Sequence, residues 1–127
     1  MTHSAHADQV GLQPVAQVGV RICGTGSFVP DRRLTNADFE KLVDTTDEWI
    51  FQRTGIRERR VADPDKGENT VHFCSTALRR ALDDARMAPT DLDCIICATV
   101  TPDMLRPSTA CQVSARLEAG HAAAFDV

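Results

Sequence analysis

The sequence predicts an α/β fold with a mostly parallel sheet. Three observations predict it: an alternating β-branched run at residues 18–24, a helical repeat of apolar residues at 70–86, and two apolar runs, 93–100 and 122–127, separated by a helix-forming segment. Strand, helices, strand, helix, strand is the order in which parallel sheets are built, because parallel neighbours need a crossover between them.

The first 17 residues, with His3, His6, Asp8 and Pro14, read as a poorly ordered extension, and residues 18–127 as the folded part. The run at 18–24 alternates and ends at Gly24-Thr25-Gly26, as a strand entering a tight turn does. Thr35 stands three residues before Asp38 and Thr45 three before Glu48, the spacing of helix N-caps, so short helices are expected at 36–43 and 46–54. Gly55 is placed to end the second in a left-handed conformation. Residues 56–67 are charged and include Asp63-Pro64-Asp65, which predicts an exposed loop.

Over 70–86, Val71, Cys74, Leu78, Ala81, Leu82 and Ala85 recur at intervals of three and four, with His72, Arg79, Arg80, Asp83 and Asp84 on the other face. The run 93–100 is nearly continuous in apolar residues, which predicts a strand covered on both faces. Pro102 and Pro107 bracket a loop, Ser108 caps a helix reaching about Leu117, and 122–127 begins another buried strand. The sequence stops inside that strand, an ending expected of part of a domain.

Composition narrows the function classes. The 127 residues carry 14 Lys+Arg against 18 Asp+Glu, a net charge of -4, which disfavours wholesale nucleic-acid binding despite the local cluster Arg57, Arg59, Arg60. The first residues show no basic stretch followed by an apolar run, and no apolar run is long enough to span a bilayer, so no signal peptide and a cytoplasmic protein without membrane or nucleic-acid partners are expected. Five cysteines, an odd count, fit reduced thiols better than a disulfide framework.

Most candidate motifs have a bland reading. Gly24-Thr25-Gly26 lacks the third glycine of a dinucleotide-binding turn, because Val29 stands there. Cys94 and Cys97 match a C-x-x-C pair by letter only, since both lie in a strand and no second pair supplies metal-ligand spacing; buried structural thiols and no metal are expected. Trp49 and Arg53 are four apart on one helix face. They are either a partly buried indole under an arginine stem, or a stacking surface for a purine beside a phosphate-pairing guanidinium.

Taken together, GTGSFVP at 24–30, TNAD at 35–38, VDTTDEWI at 43–50, RTGIRER at 53–59, ATVTPD at 98–103, PSTACQ at 107–112 and AFDV at 124–127 closely resemble the N-terminal part of β-ketoacyl-acyl-carrier-protein synthase III, over about residues 18–127. The resemblance implies an incomplete N-terminal half of a thiolase-like fold, usually found as a homodimer. It also implies an acyltransferase that starts fatty-acid biosynthesis: the acyl group of acyl-CoA passes to a cysteine and condenses, with decarboxylation, with malonyl-carrier protein. Acyl-CoA enters as substrate, and no separate cofactor is implied.

By the same resemblance, Thr45, Trp49 and Arg53 match coenzyme A contacts, Trp49 the tryptophan that stacks on adenine. The nucleophilic cysteine follows the segment matching 124–127, and its histidine and asparagine partners come later still; no catalytic residue is therefore expected within this chain, and Cys111 matches a non-catalytic cysteine. Arg106 stands where relatives commonly have a phenylalanine that crosses the dimer to wall the partner's acyl pocket, which puts short-acyl specificity in doubt. Arg86 and Glu118 stand where relatives commonly have helix-ending glycines; a β-carbon in a left-handed cap costs on the order of 1 kcal/mol each. Three readings remain: a segment of a condensing enzyme that is inert alone, a non-enzymatic CoA-binding or dimerisation module, and an unstable truncated product.

Overall fold

A computed structural model describes residues 19–127. The expected extension 1–17 and the first residue of the expected strand lie outside the described residues. The order is β1 (Arg33–Thr35), α1 (Asn36–Phe39), α2 (Asp47–Thr54), β2 (Glu58–Arg60), α3 (Thr70–Ala85), β3 (Cys94–Cys97), α4 (Thr109–Leu117) and β4 (Ala123–Asp126), with single 3-10 turns at Pro64–Lys66 and Pro89–Asp91.

The α/β class holds, and β3 and β4 pair in parallel across the α4 crossover, from Cys94 opposite Ala123 to Cys97 opposite Asp126. The other pair was not expected. β1 and β2 form an antiparallel ribbon, Leu34 opposite Arg59, where the charged sequence 56–67 predicts only a loop. Its strands are joined by tertiary contacts: Arg33 Nη1 donates to Glu58 Oε1 at 2.8 Å, and Arg60 Nη1 to the Pro30 carbonyl at 2.8 Å.

The expected strand at 18–24 is absent from its described part, residues 19–24. Val20 and Ile22 are almost fully exposed, and no strand pairs with them. The segment instead crosses α3 at very close range. A β-carbon on Gly26 would lie 2.2 Å from the Ala77 carbonyl oxygen, and one on Gly24 2.5 Å from that of Ala81, so both glycines serve close approach rather than a phosphate turn. The Thr25 N–H donates to Asp84 Oδ2 at 2.9 Å and Arg80 Nη1 to the Ser27 carbonyl at 2.6 Å, tying the segment to the helix.

α3 and α4 match their predicted bounds. They cover one face of the β3–β4 pair, and Val71, Ile95, Cys97, Ala110, Val113 and Leu117 meet between them. The opposite face is open: Ile95 and Cys97 are buried, whereas Cys94 is exposed and Ile96 is 59% exposed. This corrects the expectation of a strand covered on both faces and of two buried thiols. β4 is likewise only partly covered, with Phe125 46% exposed. The predicted helix at 36–43 closes after one turn, and the predicted cap of α2 moves by one residue: Thr46, not Thr45, accepts from the Trp49 N–H.

Carboxylates from distant segments finish the helix starts. Asp103 Oδ1 and Oδ2 accept from the Thr70 and Val71 N–H groups, both at 2.9 Å, at the start of α3. Asp126, the last residue of β4, does the same for α4, accepting from Thr109 at 2.8 Å and Ala110 at 2.7 Å. These N–H groups have no partner inside their own helix, and a negative charge there also meets the positive end of the helix dipole.

Both helices end on residues with a β-carbon in the left-handed region, Arg86 at φ 57° and Glu118 at φ 62°. Arg86→Gly and Glu118→Gly are therefore each expected to stabilise the fold by about 0.5–1 kcal/mol, read as a rise in the urea midpoint at unchanged slope. Acid should act in the opposite sense. The Ala110 N–H, followed by that of Thr109, holds the Asp126 carboxyl below its ordinary value, and the Thr35 hydroxyl, followed by the Thr35 N–H, lowers Asp38 from 3.8 to about 2. Groups with depressed folded values stabilise above their unfolded value and lose that contribution as pH falls through the folded one. The melting temperature is expected to drop as pH is lowered from about 3.8 towards 2, with a shallower dependence in Asp126→Asn.

Candidate functional site

α2 exists because Thr46 caps its first turn, Asp47 and Glu48 sit at its positive end, and Gly55 closes it at φ 70°. Only Ile50 of this helix is buried, so the remaining side chains are held out from the core. Trp49 is 57% exposed. The Arg53 guanidinium lies 5.6 Å from the centre of the Trp49 ring, so the predicted pair is brought together as a cation over an indole face.

Thr45 joins them. With Asp44, Thr46 and Trp49 it lines a hollow of about 220 Å³ beside the indole. Its Oγ1 is buried and has no hydrogen-bond partner among the described residues, an unsatisfied polar atom in the wall of that hollow. An exposed aromatic surface and a guanidinium without a hydrogen bond among the described residues suit a flat heteroaromatic group that carries phosphate. Asp44 is the one carboxylate in the wall, and it disfavours a phosphate placed directly against it.

Sequence reasoning missed the residue that holds this helix in place. Asn36 is 1% exposed. Its Nδ2 donates to Asp47 Oδ1 at 2.6 Å and to the Ile56 carbonyl at 2.8 Å, one contact at each end of α2, and its Oδ1 accepts from Arg59 Nη1. Glu40 Oε1 adds a second brace by accepting from the Asp47 N–H at 2.7 Å. The signal available in sequence was an asparagine inside a capping segment, which by itself reads as a local turn former.

The remaining candidates lie elsewhere. Arg106 is exposed on the loop between β3 and α4, away from the α2 hollow's lining. Cys111 is exposed on α4, with its Sγ 3.5 Å from the Ala124 carbonyl oxygen, a contact that supplies no base. Burial, then the Cys74 thiol 3.7 Å away, pushes Cys97 up to about 11, opposite to what a nucleophile needs.

No protein-family model matches the chain. It is 57% identical over 111 residues to the β-ketoacyl-[acyl-carrier-protein] synthase III of Caldanaerobacter subterraneus subsp. tengcongensis, a match covering 87% of this chain and 33% of that relative. It is 49% identical over 110 residues to the Aquifex aeolicus protein of the same name, covering 87% of this chain and 35% of the relative. In structure it is similar to the crystal structure of 3-oxoacyl-[acyl-carrier-protein] synthase III from Aquifex aeolicus, with a TM-score of 0.81 at 49% identity over 86% of this chain and 34% of that one. The priming β-ketosynthase of the R1128 polyketide pathway follows at a TM-score of 0.79 and 36% identity, over 84% of this chain and 31% of that one. The chain spans about a third of the length of the relatives it matches.

The Asn36 network carries its own test. Asn36→Ala strands Arg59 and the Ile56 carbonyl and is expected to cost about 2–3 kcal/mol in urea unfolding. Trp49 is the only tryptophan, so its fluorescence should also lose anisotropy as α2 loosens.

Proposed function

From this match in sequence and fold to the N-terminal part of β-ketoacyl-[acyl-carrier-protein] synthase III, a part of a thiolase-like α/β fold, we propose that the chain supplies the coenzyme-A-facing part of such a condensing enzyme. In that reaction the acyl group leaves the CoA sulfur for a cysteine thiolate, and the resulting thioester is attacked by the carbanion that malonyl-carrier protein forms on losing carbon dioxide. The observation that carries the reading is the hollow at the start of α2, lined by Thr45 and the exposed Trp49 indole, with the Arg53 guanidinium against the same indole.

Each residue has a definite part. The Trp49 face stacks on adenine, worth about 1–3 kcal/mol for a base on an aromatic side chain. Arg53, over the same ring, adds a fork of donors for phosphate oxygens. Thr45 forms part of the wall beside the indole, with its own Oγ1 buried beneath that surface. None of the three does bond chemistry. The 127 residues alone do not turn over, because the cysteine, histidine and asparagine that act as a unit in such enzymes are matched by no residue of this chain.

Three further elements belong to this proposal. The acting protein is a homodimer, in which Arg106 takes a position at the partner's acyl pocket and disfavours short uncharged acyl chains. Acyl-CoA and acyl-carrier protein are its partners, with no added cofactor. The reaction belongs to the cytoplasm, since both substrates are water-soluble thioesters; no helix among the described residues is long and apolar enough to cross a membrane.

The single tryptophan is the reporter. Titration with CoA should quench its fluorescence saturably. Calorimetry should show affinity lowered about tenfold or more in Trp49→Ala and about threefold to tenfold in Arg53→Ala. Unsaturable quenching, or equal heats from the native chain and Trp49→Ala, would overturn the CoA reading. Formation of acetoacetyl-carrier protein by the 127 residues alone would overturn their inertness.

A further inference from the structure

The chain is acidic overall, at -4, yet three arginines line one groove of about 270 Å³ between α3 and α4. Arg79 and Arg80 come from α3 and Arg116 from α4, with Ser75, Thr76 and Leu117 completing the lining. The ion pairs among the described residues are Arg33–Glu58, Lys41–Asp38 and Lys66–Asp63, so none of the three has a carboxylate partner. Asp83 and Asp84 lie one turn along α3 without pairing with Arg79 or Arg80, and Asp84 Oδ2 instead accepts from the Thr25 N–H at 2.9 Å.

Two of the guanidiniums are held in place from outside the groove. Arg80 donates to the Ser27 carbonyl at 2.6 Å and lies 5.3 Å from the centre of the Phe28 ring. Phe28 meets the His72 ring edge-on at 5.2 Å, and His72 Nδ1 lies 3.2 Å from Arg116 Nη2. A guanidinium has only donors, so Nδ1 is the acceptor, and Arg116 is anchored on a ring that itself packs edge-on with Phe28. One aromatic pair thus fixes an arginine on each side of the groove, and each keeps unused N–H donors. Arg79, without a hydrogen bond among the described residues, stands free to close on a ligand.

We propose that this groove binds a phosphate group, free or as a small phosphate ester. Planar guanidinium forks match phosphate oxygens two at a time, and prefixed side chains lose less freedom on binding than loose ones. Three guanidiniums that make no ion pair among the described residues, with Asp83 and Asp84 one turn along α3 as the nearby carboxylates in sequence, favour a dianion over a carboxylate. The groove shares no lining residue with the Trp49 hollow, so this site does not rest on the CoA reading.

The test is a nitrogen–proton NMR titration of the full chain with inorganic phosphate and, separately, with phenyl phosphate, at low and raised sodium chloride. Saturable shifts are expected at residues 75–80 and 114–117, with affinity falling as salt rises. Arg79→Gln and Arg116→Gln should each weaken binding about fivefold or more, and Lys66→Gln, outside the groove's lining, should leave it unchanged. Arg79→Gln removes no contact seen in the fold, so its effect reads on the ligand alone. Tighter binding of phenyl phosphate assigns the groove to an ester, and equal binding assigns it to the ion. Shifts of equal size around Arg57, Arg59 and Arg60, or affinities untouched by both arginine variants, would overturn the proposal.

Discussion

Two carboxylates placed on two helix starts hold this molecule together. Asp126 at the end of β4 receives the first N–H groups of α4, and Asp103 in the loop after β3 receives those of α3. Each contact satisfies donors that no helix satisfies internally and sets a negative charge against a positive dipole end. Each also fixes register. With Asp126 on α4, the crossover helix cannot slide along the β3–β4 pair, and Val113 and Leu117 must face Ile95 and Cys97. Apolar burial supplies the bulk of the stabilisation, but it is non-directional; the carboxylates select which packing is made.

The same device, on a smaller scale, builds the candidate site. Thr35 and Asp38 close a capping box on α1, Glu40 accepts from the start of α2, and Asn36 bridges Asp47, Ile56 and Arg59. The helix carrying Trp49 and Arg53 buries only Ile50. It is therefore positioned by hydrogen bonds more than by a core. That explains how an indole can be rigidly presented and still stand open to a ligand.

How legible all this was depends on where each signal sits. α3 and α4 were readable because their period, caps and ends lie within their own residues. The Trp49–Arg53 pair was readable because a four-residue spacing fixes a shared face. The β1–β2 ribbon was not, since its pairing joins charged residues some 25 apart, as Arg33 to Glu58. The run at 18–24 has the alternation of a strand, but alternation states only that a strand is possible; in residues 19–24 the glycines' close seat on α3 prevails and Val20 and Ile22 stay exposed. Asn36, Asp103 and Asp126 escaped for a related reason. Their partners lie 11 to 33 residues away, and a buried amide or a capping carboxylate looks in sequence like an ordinary loop residue.

The close contacts fall into two sets, the ribbon with α1 and α2, and the β3–β4 pair with α3 and α4. The second set is dressed on one side only: Ile95 and Cys97 are each 7% exposed, whereas Ile96 is 59%, Phe125 46% and Val127 69% exposed. Layered α/β folds cover both faces of a sheet, so this apolar side is where a further layer would pack, in keeping with relatives of which the chain spans a third. The Trp49 hollow makes no such demand, because its helix is braced from within the first set by Asn36 and Glu40. The bracing of α2 and the covering of the sheet are thus physically separable, and the first requires only the groups already in place around Asn36.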